Sequence, residues 1–324
     1  MPFNDIKGHD NVKFFLKKTL SANEVSHSYL FFGPEAVGKA LTAIVFAKAL
    51  NCLNAKDDAC NTCASCVKIE NKNHPDVALI EVAEKKDSII IEQIRDLQKK
   101  INLRPYEARK KVFIIQNAHL MTEPAANCLL KTLEEPPRDS IIILVTSRPA
   151  ELLLTVRSRC KQIKFTSLEL RTRIELAGKI GLSEEEIRFL SKVEAMNVPF
   201  LAGQGGNIIE YKNKVISEFI SDKSLLDENS PVFEGPKEEK KFMMSVLGSW
   251  FRDILVLKAG AGENFLINSD RPAELRKLKD GYSFEELKDA LSDIQFANFC
   301  LERNVGPKLA LNDLKLKIGR KADI

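Results

Sequence analysis

The stretch Gly33-Pro34-Glu35-Ala36-Val37-Gly38-Lys39-Ala40 most constrains what this chain can fold into. It follows the apolar run Ser28–Phe32 and precedes the helix-forming segment Leu41–Leu50. A strand, a glycine-rich turn and a helix N-terminus in that order build a phosphate cradle. Backbone N–H groups face the anion, and a lysine reaches its outer oxygens. Gly33, Gly38 and Lys39 are therefore candidate phosphate-binding residues. The position after the lysine ordinarily carries a serine or threonine hydroxyl that helps to hold Mg2+. Here it is Ala40, so the loop keeps the pattern of a nucleotide site and lacks one metal ligand.

The residues around the loop alternate between two periodicities. Ser28–Phe32, Val77–Ile80, Lys111–Ile115, Ile141–Thr146 and Lys161–Phe165 read as buried strands. Asn11–Ser21, Leu41–Leu50, Ile89–Ile101, Thr122–Leu133 and Glu151–Val156 read as helices, with Pro136-Pro137 stopping the fourth. Such alternation predicts an α/β domain with a five-stranded parallel sheet covered on both faces. The phosphate loop falls at the C-terminal edge of the first strand, where such sheets bind ligands. Beyond Phe165 the strand patterns stop. Leu168–Ile180, Ser183–Met196, a segment from about Asn207 and the tail Phe242–Lys317 all read as helical. Ser183 and Glu186 are spaced as a capping box. The polar stretch Asp227–Lys241 reads as a hinge or loop.

Seven cysteines in a chain whose first residues carry no secretory pattern argue against a disulfide scaffold. Cys52, Cys60, Cys63 and Cys66 follow the spacing C-x7-C-x2-C-x2-C. Thiolates bind Zn2+ tetrahedrally, and four of them leave no open position, so the expectation is a structural zinc site. His74 is then unnecessary as a ligand, while Cys128 and Cys300 read as core residues. No apolar run approaches the length of a membrane span, which predicts a cytoplasmic protein without membrane contact. Forty-nine basic against forty-five acidic residues is too even for a dedicated nucleic-acid binder. The densest basic run, Lys99, Lys100, Arg104, Arg109, Lys110 and Lys111, reads as a solvated face or as a local contact to DNA phosphates.

A hydrolysing enzyme of this sheet type needs carboxylates at the end of a strand beside the phosphate loop, to orient Mg2+ and polarise water. The candidate strand Lys111–Ile115 ends in Gln116-Asn117-Ala118-His119. Amides stand where acids are expected, and they hold a divalent cation poorly. His119 reads as an exposed histidine at a helix start. Ala40 and the Gln116-Asn117 pair independently predict a chain without ATPase activity of its own.

The stretches Leu129–Pro137, Leu144–Thr146 and Thr155–Cys160 resemble clamp-loader AAA+ subunits, and the four-cysteine insertion resembles their bacterial DNA polymerase III branch. Trp250–Ile254 and Asn304–Leu311 are similar to the C-terminal helical domain of that family. The resemblance implies an AAA+ core over residues 1–166 with the zinc-binding insertion at 52–66, a small helical lid over 167–212 and an all-α collar domain over 213–324. It also implies that Arg159 of Ser158-Arg159-Cys160 is an arginine finger directed at ATP on a neighbouring subunit. Thr146 matches the family's sensor position, and the arginine of its second sensor has no counterpart near Gly203–Asn207. The implied role is that of a non-hydrolysing member of a heteropentamer with ATPase subunits and a delta subunit. That assembly loads a sliding clamp, which this chain touches indirectly, onto primed DNA. Zn2+ would be structural here, with ATP held by neighbours. The rival readings are an active motor subunit of the same ring, and a zinc-stabilised replication scaffold with no part in clamp loading.

Overall fold

The computed structural model describes residues 2–35, 37–83, 86–169, 172, 175–176, 182–193, 208–221, 237–303 and 305–319. Backbone contacts divide the chain into two compact units, Met1–Thr172 and Arg173–Ile324.

In the first unit, strands β1 (Ser28–Phe32), β2 (Val77–Ile80), β3 (Lys111–Ile115), β4 (Ser140–Thr146) and β5 (Lys161–Lys164) form one sheet in the order β2-β3-β4-β1-β5. Every pairing is parallel, with Ser28 opposite Ile142 and Phe32 opposite Thr146. Side chains alternate across a strand, so each apolar run serves two cores. Tyr29, Phe31, Val112, Ile114, Ile141 and Ile143 pack on one face with residues of α1 (Asp10–Ser21) and α2 (Lys39–Leu50). Leu30, Phe113, Ile115, Ile142 and Leu144 pack on the other with α4 (Ile91–Ile101), α5 (Glu123–Glu134) and α6 (Leu154–Ser158). This is the expected five-stranded parallel sheet, covered on both faces.

Three local readings change. A short helix α3 (Ala64–Glu70) lies inside the cysteine segment, and its N-cap is Cys63, whose sulfur accepts from Cys66 N–H at 3.5 Å. Ile89 does not begin α4. Its N–H donates to Leu120 O at 2.8 Å, which ties it to the segment after β3 instead. The predicted helix Glu151–Val156 splits into a 3-10 turn at Pro149–Glu151 and α6, because Leu152 and Leu153 are extended between them.

The second unit has no strand among its described residues and is built of helices joined by turns: α7 (Glu184–Val193), α8 (Ile208–Ser221), α9 (Lys237–Lys258), α10 (Pro272–Lys279), α11 (Phe284–Arg303) and α12 (Pro307–Gly319). One core gathers Phe189, Ile216, Trp250, Phe251, Leu287 and Leu311. Ser183 and Glu186 make the capping box: Ser183 N–H donates to Glu186 Oε2 at 2.8 Å, and Glu186 N–H donates to Ser183 Oγ at 3.3 Å. Lys237–Lys241 belongs to α9, so that part of the stretch read as a hinge is helical. The rest of that stretch, most of Leu168–Ile180 and all of Gly203–Asn207 lie outside the described residues.

Candidate functional site

The phosphate loop leaves β1 and enters α2 as expected. Gly33 has φ 146°, and a Cβ there would run into the carbonyl of Phe165, so only glycine fits. Gly38, the N-cap of α2, has φ 91° with open space around it, so its requirement is conformational alone. Lys39 is buried. Its ammonium turns back onto the loop, donating to Gly33 O at 2.9 Å and to Pro34 O. Burial pulls the Lys39 pKa down to about 8 despite the opposing charge of Glu35. The loop is therefore closed on its own lysine. A phosphate would have to take that ammonium from two carbonyls.

His9 braces the loop from the N-terminal segment. Its backbone is left-handed at φ 54°, its ring meets Phe165 edge-on, and Nε2 lies 2.8 Å from Val37 O. A carbonyl only accepts, so Nε2 carries the proton. Burial lowers the His9 pKa, with the bond to Val37 opposing it. Nothing in the sequence pattern singled this residue out.

At the same edge of the sheet, β4 separates β1 from β3, so the strand that ends in Gln116-Asn117 is not the immediate neighbour of the phosphate loop. At about 4.8 Å between strands, the amide pair stands roughly 10 Å away across the sheet. Asn117 is left-handed at φ 50° and leads into the turn Ala118–Leu120. His119, expected to be exposed, is half-buried, and its Nδ1 lies 3.0 Å from Thr146 Oγ1. That hydroxyl also accepts the Arg148 N–H at 3.0 Å. Thr146 thus joins the ends of β3 and β4 through hydrogen bonds within the chain.

Arg159 occupies the opposite edge. It follows α6 as its C-cap, and its carbonyl accepts from Ser28 Oγ at 2.7 Å, at the very start of β1. The phosphate loop begins after the far end of that strand, five residues on. At about 3.3 Å per residue this is roughly 16 Å. The guanidinium donates from Nη1 to Thr155 O at 2.9 Å, and Nη2 lies 2.6 Å from Glu134 Oε1. Leu154, at the start of α6, is 74% exposed.

The four thiols of the cysteine segment converge: the sulfurs of Cys52, Cys60, Cys63 and Cys66 all lie within 4.8 Å of one another. A tetrahedron of ~2.3 Å Zn–S bonds has edges of about 3.8 Å, so the donor set fits that ion. Ala55 N–H and Cys63 N–H each approach a sulfur at 3.3 Å, on Cys52 and Cys60 respectively. Hydrogen bonds from Thr62 and the backbone bring the Cys60 thiol down to about 5, and burial pushes Cys66 up to about 12. A bound cation supplies the positive charge that keeps such a buried sulfur ionised. His74 takes no part: its Nδ1 accepts Asp76 N–H at 3.1 Å, and Nε2 lies 3.4 Å from Ser65 Oγ.

The cysteine segment is fastened at both ends of its surroundings. Lys48, buried on α2, pairs with Glu70 at the end of α3. Asp58 accepts Phe3 N–H at 2.9 Å and pairs with Lys17 of α1 at 2.9 Å.

The basic run is partly spent internally. Lys111 is buried and donates to Lys100 O at 2.7 Å, Lys110 pairs with Asp139 at 2.7 Å, and Lys99 pairs with Asp96 at 3.1 Å. Lys100, Arg104 and Arg109 are exposed. Asp76 fixes the loop between them by accepting the backbone N–H groups of Tyr106, Glu107 and Ala108 at 2.8–2.9 Å. Burial opposes its ionisation, but those bonds together with Lys111 outweigh it and hold the carboxyl below its usual range.

Comparison with known proteins assigns both units. Residues 8–169 match the family described as DNA polymerase III, delta subunit, and residues 215–318 match its C-terminal family. The chain is 31% identical to the DNA polymerase III subunit delta' of Bacillus subtilis, over 79% of each protein. It is 38% identical to subunit tau of the same organism over 56% of this chain, an alignment that spans only 32% of tau. A solved Thermotoga maritima structure of a gamma subunit-related DNA polymerase III protein matches 95% of this chain and 99% of its own at 17% identity, with a TM-score of 0.49. One relative that the chain resembles over most of its length is a delta' subunit, and the chain belongs to the DNA polymerase III delta-subunit family.

Proposed function

We propose that this chain is the non-hydrolysing, delta'-type subunit of a bacterial clamp loader, and that it contributes Arg159 to ATP bound on a neighbouring subunit. The observation that carries the reading is the placement of Arg159. It lies at the edge of the sheet opposite the chain's own phosphate loop, tied to Ser28 at the far end of β1. A guanidinium there is out of reach of a nucleotide in cis, which supports a role toward one in trans. The exposed Leu154 on the same short helix gives that corner an apolar contact for a partner.

The other half of the reading is silence in cis. Ala40 offers no hydroxyl, Gln116 and Asn117 offer no charge, and Lys39 is closed onto Gly33 and Pro34. A residual phosphate contact through Gly33, Gly38 and Lys39 would be weak. Cys52, Cys60, Cys63 and Cys66 would hold one structural Zn2+. The ATPase subunits and a delta subunit would complete the ring, with the clamp and primed DNA as its substrates. The division into core, lid and collar at residues 166 and 212 is part of this proposal.

The test is reconstitution. Arg159→Ala should leave the complex assembled, judged by its mass, and lower ATP hydrolysis at the site it serves by ~10³-fold or more. The purified chain alone should show no turnover. Robust hydrolysis by the isolated chain, or an unchanged rate in the complex carrying the variant, would overturn the assignment.

A further inference from the structure

Resting on the trans role of Arg159, the geometry points to Glu134 as a latch that holds the finger on its own chain until a nucleotide-bearing neighbour takes it. Glu134 is the last helical residue of α5, because Pro136 and Pro137 end the helix just beyond it. A carboxylate is out of place there. The C-terminus of a helix carries partial negative charge and favours cations. Helix α5 therefore gains nothing from an acid at that position, and Glu134 finds its compensation in Arg159.

The pairing engages the part of the guanidinium that a finger needs. Nη2 lies 2.6 Å from Glu134 Oε1, and Nη1 donates to Thr155 O at 2.9 Å. An arginine meets phosphate most strongly through two parallel N–H groups, and here both terminal nitrogens are already engaged at home. Phosphoryl transfer also gathers negative charge on the oxygens that the finger would meet. A carboxylate left 2.6 Å from the guanidinium would oppose that stabilisation. Glu134 must therefore release Arg159 before the finger can work.

The latch is light enough to open. The Glu134 side chain is 51% exposed and that of Arg159 35%, so the pair is a surface ion pair, weakened by water and salt. Glu134 sits on α5 while Arg159 follows α6, so a small shift between these two elements is enough to part them. Ser28, which donates to the Arg159 carbonyl, and Val156, whose carbonyl accepts the Arg159 N–H, would keep the backbone of Arg159 in place while its side chain leaves Glu134 and Thr155. The neighbour's triphosphate, with its greater charge, then replaces the carboxylate.

The experiment compares the complete reconstituted complex carrying the wild-type chain, Glu134→Gln, Arg159→Ala or both, with ATP as the probe, with and without clamp and primed DNA. Glutamine keeps the shape and removes the charge. Glu134→Gln should raise the unstimulated ATPase rate ~2–5-fold, the worth of an exposed pair, and leave the stimulated rate within about twofold. The degree of stimulation therefore falls. The double variant should match Arg159→Ala alone, since a latch without its bolt has no effect, and the isolated chains should keep the wild-type unfolding midpoint. If Arg159→Ala lowers turnover but Glu134→Gln leaves the unstimulated rate unchanged or reduces it, the latch is wrong and the finger stands. If Arg159→Ala leaves turnover intact, the trans role fails, and the latch with it.

Discussion

The cysteine loop and the phosphate loop sit at opposite ends of helix α2, and they have met opposite fates. Cys52 follows the helix C-terminus, and its three partners bring their sulfurs within 4.8 Å, a complete donor set for one ion. Gly38 caps the N-terminus. The loop before it keeps the glycines and the lysine but has Ala40 where a hydroxyl belongs, and no acid follows β3. Both loops carry a ligand-binding pattern, yet only one still offers a full coordination shell. On the proposed reading, the difference teaches that a loop can be kept for its backbone shape, since a Cβ at Gly33 would run into the Phe165 carbonyl.

The largest break in the comparison comes from the metal side. Cys66→Ser, or chelation of the intact chain, should abolish binding of one Zn2+ per chain and lower the local stability of residues 52–70 by several kcal/mol, since metal binding and local folding are linked. Asp58 couples this loop to Phe3 and Lys17, so the loss should travel. Hydrogen exchange should quicken at residues 3–6 and 52–70 while the β3 and β4 amides keep their protection. A metal-free chain with unaltered exchange at Phe3 would show that the thiol cluster is ornamental.

The next effect tests whether the phosphate loop is retained for its shape. Gly33→Ala drives a Cβ into the Phe165 carbonyl and should cost about 3 kcal/mol, whereas Gly38→Ala, strained in φ but sterically open, should cost about 1 kcal/mol. Thermal or denaturant unfolding of the two variants gives the ranking. Equal costs would mean that the strand-to-helix turn is not what preserves the loop.

Lys39 sharpens the comparison through pH. Its folded pKa, about 8, lies below its ordinary 10.5, so between those values the unfolded chain binds more protons than the folded one. Stability should therefore rise as pH climbs from about 8 to about 10.5, by on the order of 2 kcal/mol, and Lys39→Met should flatten that rise. Saturating phosphate or nucleotide that engaged the lysine would favour its charged form and also suppress the rise. A wild-type profile that is flat across this range would contradict the buried, self-satisfied ammonium.

How much of this was legible in the residues depends on the kind of signal. The strands Ser28–Phe32, Val77–Ile80 and Lys111–Ile115 match their predicted bounds, because apolar runs between turn residues have few other uses. The thiol cluster was legible for a similar reason, since sulfur spacing encodes a local geometry that needs no long-range contact. Helix α3 was hidden by the same cysteines, whose ligand spacing says nothing of helical period, and its cap is Cys63 itself. His9, Glu134 and the bond between His119 and Thr146 were not legible. Each depends on side chains far apart in the sequence meeting at a sheet edge, as with His119 and Thr146 at 3.0 Å. Strand order was likewise silent: only the fold puts β4 between the phosphate loop and the strand that ends in Gln116-Asn117.

The smallest predicted effect probes that last point. Ala40→Ser restores the missing hydroxyl at the second residue of α2, half-buried and beside the phosphate-facing turn. If the hydroxyl were the sole defect, the variant would hydrolyse ATP with Mg2+. The structure predicts otherwise. The hydroxyl supplies one ligand, but orienting the ion and polarising water also require charge from the β3 side, where Gln116 and Asn117 remain neutral. Ala40→Ser should therefore change stability by less than ~0.5 kcal/mol, as expected for a small substitution away from the packed core. It should leave the isolated chain without turnover, even where equilibrium dialysis detects a modest gain in Mg2+-dependent nucleotide retention. Measurable hydrolysis by that single variant would mean that the amide pair was never the barrier, and the loop would then be one substitution away from a working site.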